Sequence, residues 1–319
     1  MADIQNITAE VIAASADVVL VVGPPRRWKN PRLTRELHVS SAALIAASDV
    51  YATLLKREPG HDIAAVPREI HLPEDRAESM SLMCRLLQGK YIHELVSKSK
   101  PSTIGLLAFA VQKYACAEAL RMQTAAILLS YMDRTKVQHD ASGDSSCVVA
   151  AYLFDDARAF HILTGRLLKG MHIATDEYLY EEPMPEHIIR EINERRTAAQ
   201  HKVEFGLMCL GEDAAVVEEY DEVYVRHLMQ GFGIPFWPPD LTSVASSFCL
   251  ADCVQTTSKL STIDSPKHGR VKDGDFKQSA EEVEDMCQGL CLKCVKEDNY
   301  LDIKEKYCAY EGRKNWLRQ

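Results

Sequence analysis

The run Val18-Val-Leu-Val-Val22, closed by Gly23-Pro24-Pro25, constrains this chain more than any other stretch. Five consecutive β-branched or leucine residues leave no polar face, so they suit a strand covered on both sides. The glycine and the two prolines then end it. Downstream, Leu37 and Val39 alternate with polar neighbours as a second strand does. Ser40 or Ser41 is a natural N-cap for a following helix that carries Leu44, Ala47, Tyr51 and Leu55. Small residues between those positions let such a helix lie close to its neighbour.

The alternation of strand and helix continues. Residues 68–75, Arg-Glu-Ile-His-Leu-Pro-Glu-Asp, read as a third strand with Ile70 and Leu72 on one face. Helical spacing follows at Met80, Met83, Leu86 and Leu87, and Gly89 is a natural residue to close that helix. Residues 104–132 carry Leu107, Ala110, Val111, Tyr114, Cys116, Leu120, Ile127 and Leu128 in the pattern of two helices, joined near Lys113-Tyr-Ala-Cys-Ala-Glu-Ala-Leu120. In this order of strand, strand and helix, strand and helix, then a closing helix pair, residues 14–133 resemble a BTB/POZ domain. The form is the divergent one common in fungal families.

That resemblance implies an α+β interaction domain that pairs with itself or with another BTB protein through its first strand and helix. Asp17 matches the family's aspartate ahead of the first strand, near the dimer interface; a strand-leading polar residue is the alternative reading. The expected interaction residues are Asp17, Leu37, Val39, Ser40, Leu44 and Tyr51, with the apolar faces around Leu37, Val39 and Leu44 buried against a second copy. Ser40 stands where many members carry a histidine, so no role of that histidine passes to this chain. Cullin-binding members present a hydrophobe two residues before a glutamate. Here Lys56 precedes Glu58, which argues against recruitment to a cullin-based ubiquitin ligase as a substrate adaptor.

At 319 residues the chain exceeds the usual size of one domain, and 46% hydrophobic residues suffice for a core in each of two. The net charge of −9 disfavours binding to a phosphate backbone, and the locally basic stretches at 26–29 and 296–306 read as solvated faces. No stretch reaches about 18 consecutive apolar residues, so no membrane span is expected, and residues 4–22 lack the features of a signal peptide. An intracellular setting, cytoplasm or nucleus, follows as the expectation. In a reducing compartment the ten cysteines are thiols or metal ligands rather than disulfides.

A polar, turn-rich stretch at 134–146 reads as a linker, and 147–319 as a mainly α-helical C-terminal domain. Val148, Ala151, Phe154, Phe160, Leu163 and Leu167 recur at helical spacing up to Gly170. Residues 186–210 read as a helix ended by Gly211, and 216–229 as another. A breaker rich in glycine and proline fills 231–240, and residues 255–280 read as a flexible polar segment.

The C-terminal third holds the one constellation with chemistry in it. Cys249 and Cys253 form a C-x3-C pair, Cys291 and Cys294 a C-x2-C pair, with Cys287, Cys308 and His268 as substitutes. Two such pairs can place four thiolates around a structural zinc at about 2.3 Å. Equally, free cysteines are among the most buried residue types, so the same residues can be small core hydrophobes. A redox pair normally heads a helix after a strand in a βαβ setting, which the sequence here lacks.

Phosphate-binding glycine loops, a G-x-S-x-G elbow and an H-E-x-x-H helix are all missing from the sequence. Acidic pairs such as Asp155-Asp156 and Glu218-Glu219 fit solvated helix faces. The expectation is a non-catalytic protein–protein interaction protein. A cullin adaptor and, more remotely, an enzyme built on a C-terminal zinc are the alternatives.

Overall fold

A computed structural model describes residues 8–23, 34–56, 67–90, 97, 99–135, 141–169, 184–216, 282–283 and 286–297. It is a mixed fold with one small sheet and many helices, as an α+β reading requires. The chain divides into two compact units, residues 1–138 with 146–159 and residues 139–145 with 160–319. Its boundaries at 138/139 and 145/146 fall within the stretch read as a linker, 134–146, and the third, at 159/160, falls within a helix.

In the first unit β1 (Thr8–Val11), β2 (Val18–Val22), β3 (Arg35–Val39) and β4 (Arg68–Leu72) form one sheet in the spatial order β1-β3-β2-β4. β2 runs antiparallel to β3, with Val18 opposite Val39, and parallel to β4, with Val18 opposite Arg68. All five β2 residues are buried, which is why that strand needs no polar face. The edge strand β1 pairs in parallel with β3 and was not legible in the sequence, because three of its four residues are exposed.

The helices of this unit up to residue 138 are α1 (Ser41–Ala47), α2 (Asp49–Leu54), α3 (Ala77–Leu87), α4 (Pro101–Lys113) and α5 (Ala117–Arg134). Where the spacing predicts one helix through Leu44 and Leu55, the chain makes two. Ser48 takes an extended backbone and its Oγ accepts the Tyr51 N–H at 3.2 Å, so it caps α2 and breaks the run. α3 ends as expected, with Gly89 at φ +68°, a conformation that side chains disfavour. Its buried face packs on α4, α5, α1 and β3. Ser81 and Arg85 of α3 also reach Glu10 of β1: the Ser81 hydroxyl donates to both carboxylate oxygens at 2.9 and 2.8 Å, and Arg85 pairs with Oε1. The edge strand is thus held to the helical layer by a charged anchor that is itself largely buried.

Beyond α5 the stretch expected as linker is partly helical. α6 (Ala141–Leu153) begins inside it and buries Asp144, Ser145 and Cys147. The helical spacing from Val148 to Leu167 is also interrupted: Asp155 takes φ +61°, and Asp156 Oδ1 accepts the Ala159 N–H at 2.9 Å to start α7 (Ala157–Lys169). The acidic pair is therefore a turn and a helix cap.

In the second unit α8 (Glu186–Val216) runs through Gly211, where the sequence predicts a stop. A lone interior glycine costs only about 1 kcal/mol relative to alanine, too little to end a helix by itself. Ile188, Ile192 and Ala199 are buried apolar residues along it, and Ala199 packs with Val283 and Cys287. A short helix, α9 (Leu292–Lys296), follows. The segment leading into it lies on α7: the Leu290 N–H donates to Thr164 Oγ1 at 2.8 Å, and Gly165 and Gly289 face each other closely. The expectations at 26–29, 217–229, 231–240 and 255–280 lie outside the described residues.

Candidate interaction surface

The sequence-selected interaction residues mostly turn inward. Leu37, Val39, Leu44 and Tyr51 are fully buried inside the first unit and have no surface left for a second copy. This corrects the expectation that their apolar faces form an interface. Large side chains on β3 and on the inner stripe of α1 and α2 are consumed by the unit's own core.

Asp17 and Ser40 have local structural work. The Asp17 N–H donates to the Val39 carbonyl at 3.2 Å, and its own carbonyl accepts from Arg68 at 3.1 Å. Its carboxylate accepts the Ser41 N–H at 2.7 Å and the Ser41 hydroxyl at 2.5 Å. Asp17 therefore caps α1 from the position just ahead of β2. Ser40 occupies the N-cap position with extended backbone but makes no side-chain cap bond. Lys56 is exposed, its carbonyl within 3.4 Å of the Arg68 guanidinium, while residues 57 and 58 lie outside the described residues.

Tyr51 sits in a buried polar knot. Its ring stacks on Tyr114 with centroids 4.6 Å apart and planes 4° from parallel. Tyr114 donates its hydroxyl to Asp75 at 2.6 Å, and Lys113 pairs with the same carboxylate at 2.6 Å. The Ser48 hydroxyl donates to the Tyr114 carbonyl, as does the Cys116 thiol at 3.3 Å. Among the described residues the Tyr51 hydroxyl meets no hydrogen-bond partner.

Burial pushes the Tyr51 phenol and the Cys84 thiol far up, with nearby acidic groups adding to it. Tyr114 is raised by burial and by its bond to Asp75, and Cys116 is raised by burial against an opposing hydrogen bond from Ser48. Each of these groups holds its proton more tightly folded than unfolded. Their contribution to stability is complete below the ordinary thiol and phenol range of about 8.5–10 and is lost as pH rises beyond it. For deeply buried Tyr51 and Cys84 the loss is about 1.4 kcal/mol per pH unit each. Denaturant unfolding from neutral to strongly alkaline pH is expected to show this decline. Tyr51→Phe should flatten it and, by removing an unsatisfied hydroxyl, raise neutral-pH stability by about 1 kcal/mol. A less stable variant at neutral pH would show that the hydroxyl is satisfied.

The outward stripe of α1 and α2 was missed in the sequence. Ile45, Val50 and Leu54 are 41%, 39% and 36% exposed, alongside exposed Ala42 and Ala46. The signal was present: Leu44, Tyr51 and Leu55 already fill one helix face, so further apolar residues at 45, 50 and 54 must lie on another. Val11 on the edge strand is 66% exposed.

Of the proposed metal ligands, Cys249 and Cys253 lie outside the described residues. Cys294 is buried and Cys291 half-buried, and Cys291 Sγ accepts the Cys294 N–H at 3.4 Å. Cys287 belongs to the core cluster with Ala199 and Val283. Among the described residues no group of three or more His, Cys, Asp or Glu is placed to hold a metal ion, and no helix is long and apolar enough to cross a membrane. Comparisons with protein-family models, curated proteins and solved structures found no match.

Proposed function

We propose that this chain is a non-catalytic protein–protein interaction protein of the BTB/POZ kind, pairing with a second copy through the outward stripe of α1 and α2. The observation that carries the reading is the exposure of Ile45, Val50 and Leu54 on two helices whose other faces fill the core. Alanines at 42 and 46 allow helices to approach closely, and a stripe that meets its own copy across a two-fold axis needs no second kind of surface. The fold supports the BTB part of the reading through its element order. An antiparallel β2–β3 pair leads into α1 and α2, parallel β4 leads into α3, and the pair α4 and α5 follows.

Aspartate at the centre of an apolar interface leaves a buried, unpaired charge. Ile45→Asp and Val50→Asp are therefore each expected to weaken self-association at least 100-fold in sedimentation equilibrium while the melting temperature in solution too dilute for association stays unchanged. Met122→Asp, at a 78% exposed apolar residue on α5, should leave association intact. Equal weakening by all three variants, or by none, would remove α1 and α2 as the interface.

A further inference from the structure

The C-x2-C pair of the second unit has a geometry that its sequence context did not suggest. Cys291 directly precedes α9 with an extended backbone, φ −87° and ψ 117°. Its carbonyl accepts the Val295 N–H at 2.9 Å, closing a helical turn over the pair. Residues three apart in such a turn have Cα atoms roughly 5 Å apart, inside the span a disulfide requires. The Cys291 sulfur is already folded back over this turn, 3.4 Å from the Cys294 nitrogen. Among the described residues no strand leads into the pair, yet the local turn that a βαβ redox unit provides is present.

Exposure divides the two thiols into different roles. Cys291 is half-buried and within reach of a small molecule, whereas Cys294 is 7% exposed and within reach mainly of Cys291. Lys293 lies between them in the chain, its side chain 59% exposed and its ammonium paired with Glu297 at 3.9 Å. The stem entering Cys291 is fixed, with Gly289 against the His161 carbonyl and the Leu290 N–H on Thr164 Oγ1. Leu292 and Val295, next to the two cysteines in the chain, are buried. A held turn lowers the entropy cost of joining the two sulfurs.

We propose that Cys291 and Cys294 form a dithiol site that exchanges with small-molecule disulfides and closes an intramolecular disulfide. The Cys291 thiolate attacks one sulfur of the small disulfide and expels the other as a thiolate, which takes up the proton that Cys291 gave up. The Cys294 sulfur then attacks the Cys291 sulfur, breaks the mixed disulfide and releases the second small thiol with the Cys294 proton. Two electrons pass from the pair to the small disulfide, which leaves as two thiols. This site is independent of the pairing surface on α1 and α2.

The test equilibrates the full chain in mixtures of reduced and oxidised glutathione, then alkylates, digests and reads the cysteine peptides by mass spectrometry. The expected result is a Cys291–Cys294 peptide that has lost two hydrogens and resists alkylation. Cys294→Ser should accumulate one glutathione on Cys291, and Cys291→Ser should leave Cys294 unmodified. Two thiols that stay alkylatable across the whole range would overturn the proposal. So would a stoichiometric zinc ion that shields both until a chelator is added, or a disulfide joining either residue to Cys287. The wild-type readout needs no variant to fold.

Discussion

Leu37→Ala is expected to destabilise the first unit by about 2–5 kcal/mol, a loss read by denaturant unfolding or by hydrogen exchange of its sheet amides. Leu37 is fully buried on β3, the strand that pairs with β1 on one side and β2 on the other. Removing its side chain deletes apolar contacts and leaves a cavity that paired strands cannot close, because their register is fixed by the ladder. The same variant decides between two roles for this residue. A core residue lowers stability at every protein concentration; an interface residue lowers it only where the protein associates. Little change in dilute solution would return Leu37 to the interface and contradict its burial.

Gly289→Ala is expected to release the segment at 286–297 from α7. A Cβ on Gly289 would overlap the backbone carbonyl of His161, and backbone on both sides cannot swing away as a flexible side chain can. Overpacking of this kind costs typically about 1–3 kcal/mol, and full overlap with backbone places the variant at the upper end or beyond. Gly165→Ala is the graded comparison, since its Cβ would meet the Gly289 nitrogen at 3.2 Å, a contact that a small shift relieves. Hydrogen exchange at Leu290, whose N–H is held by Thr164 Oγ1, reports the docking directly. Fast exchange there in Gly289→Ala and intermediate exchange in Gly165→Ala is the expected order. Wild-type protection in both would mean that the close approach of Gly289 to α7 does not hold the segment.

Much of the first unit was legible because its elements have opposed faces. Val18 to Val22 announces an interior strand, and the spacing of α3, α4 and α5 matches their buried sides. What escaped had no such contrast. β1 buries too little to show alternation, and the breaks at Ser48 and Asp155 depend on capping bonds rather than on hydrophobicity. Strong hydrophobes do not by themselves mark a binding face: Leu37, Val39, Leu44 and Tyr51 are what the unit needs to fold. Apolar residues left over once the core is complete are the usual mark of a partner surface, and the proposed pairing uses three of them, Ile45, Val50 and Leu54. Among the cysteines, spacing alone could not separate core from chemistry. Cys287 fills a cluster with Ala199 and Val283, while Cys291 and Cys294 share a turn, and only their placement distinguishes them.

The most direct test of the central reading is the molar mass of the intact chain by light scattering over a wide range of concentration, beside that of Ile45→Asp. A wild type of twice the chain mass of 35.8 kDa, with Ile45→Asp at the single mass and as stable as the wild type in dilute solution, is the predicted result. A wild type that remains at the single mass throughout, or a variant that still doubles, would contradict pairing through α1 and α2.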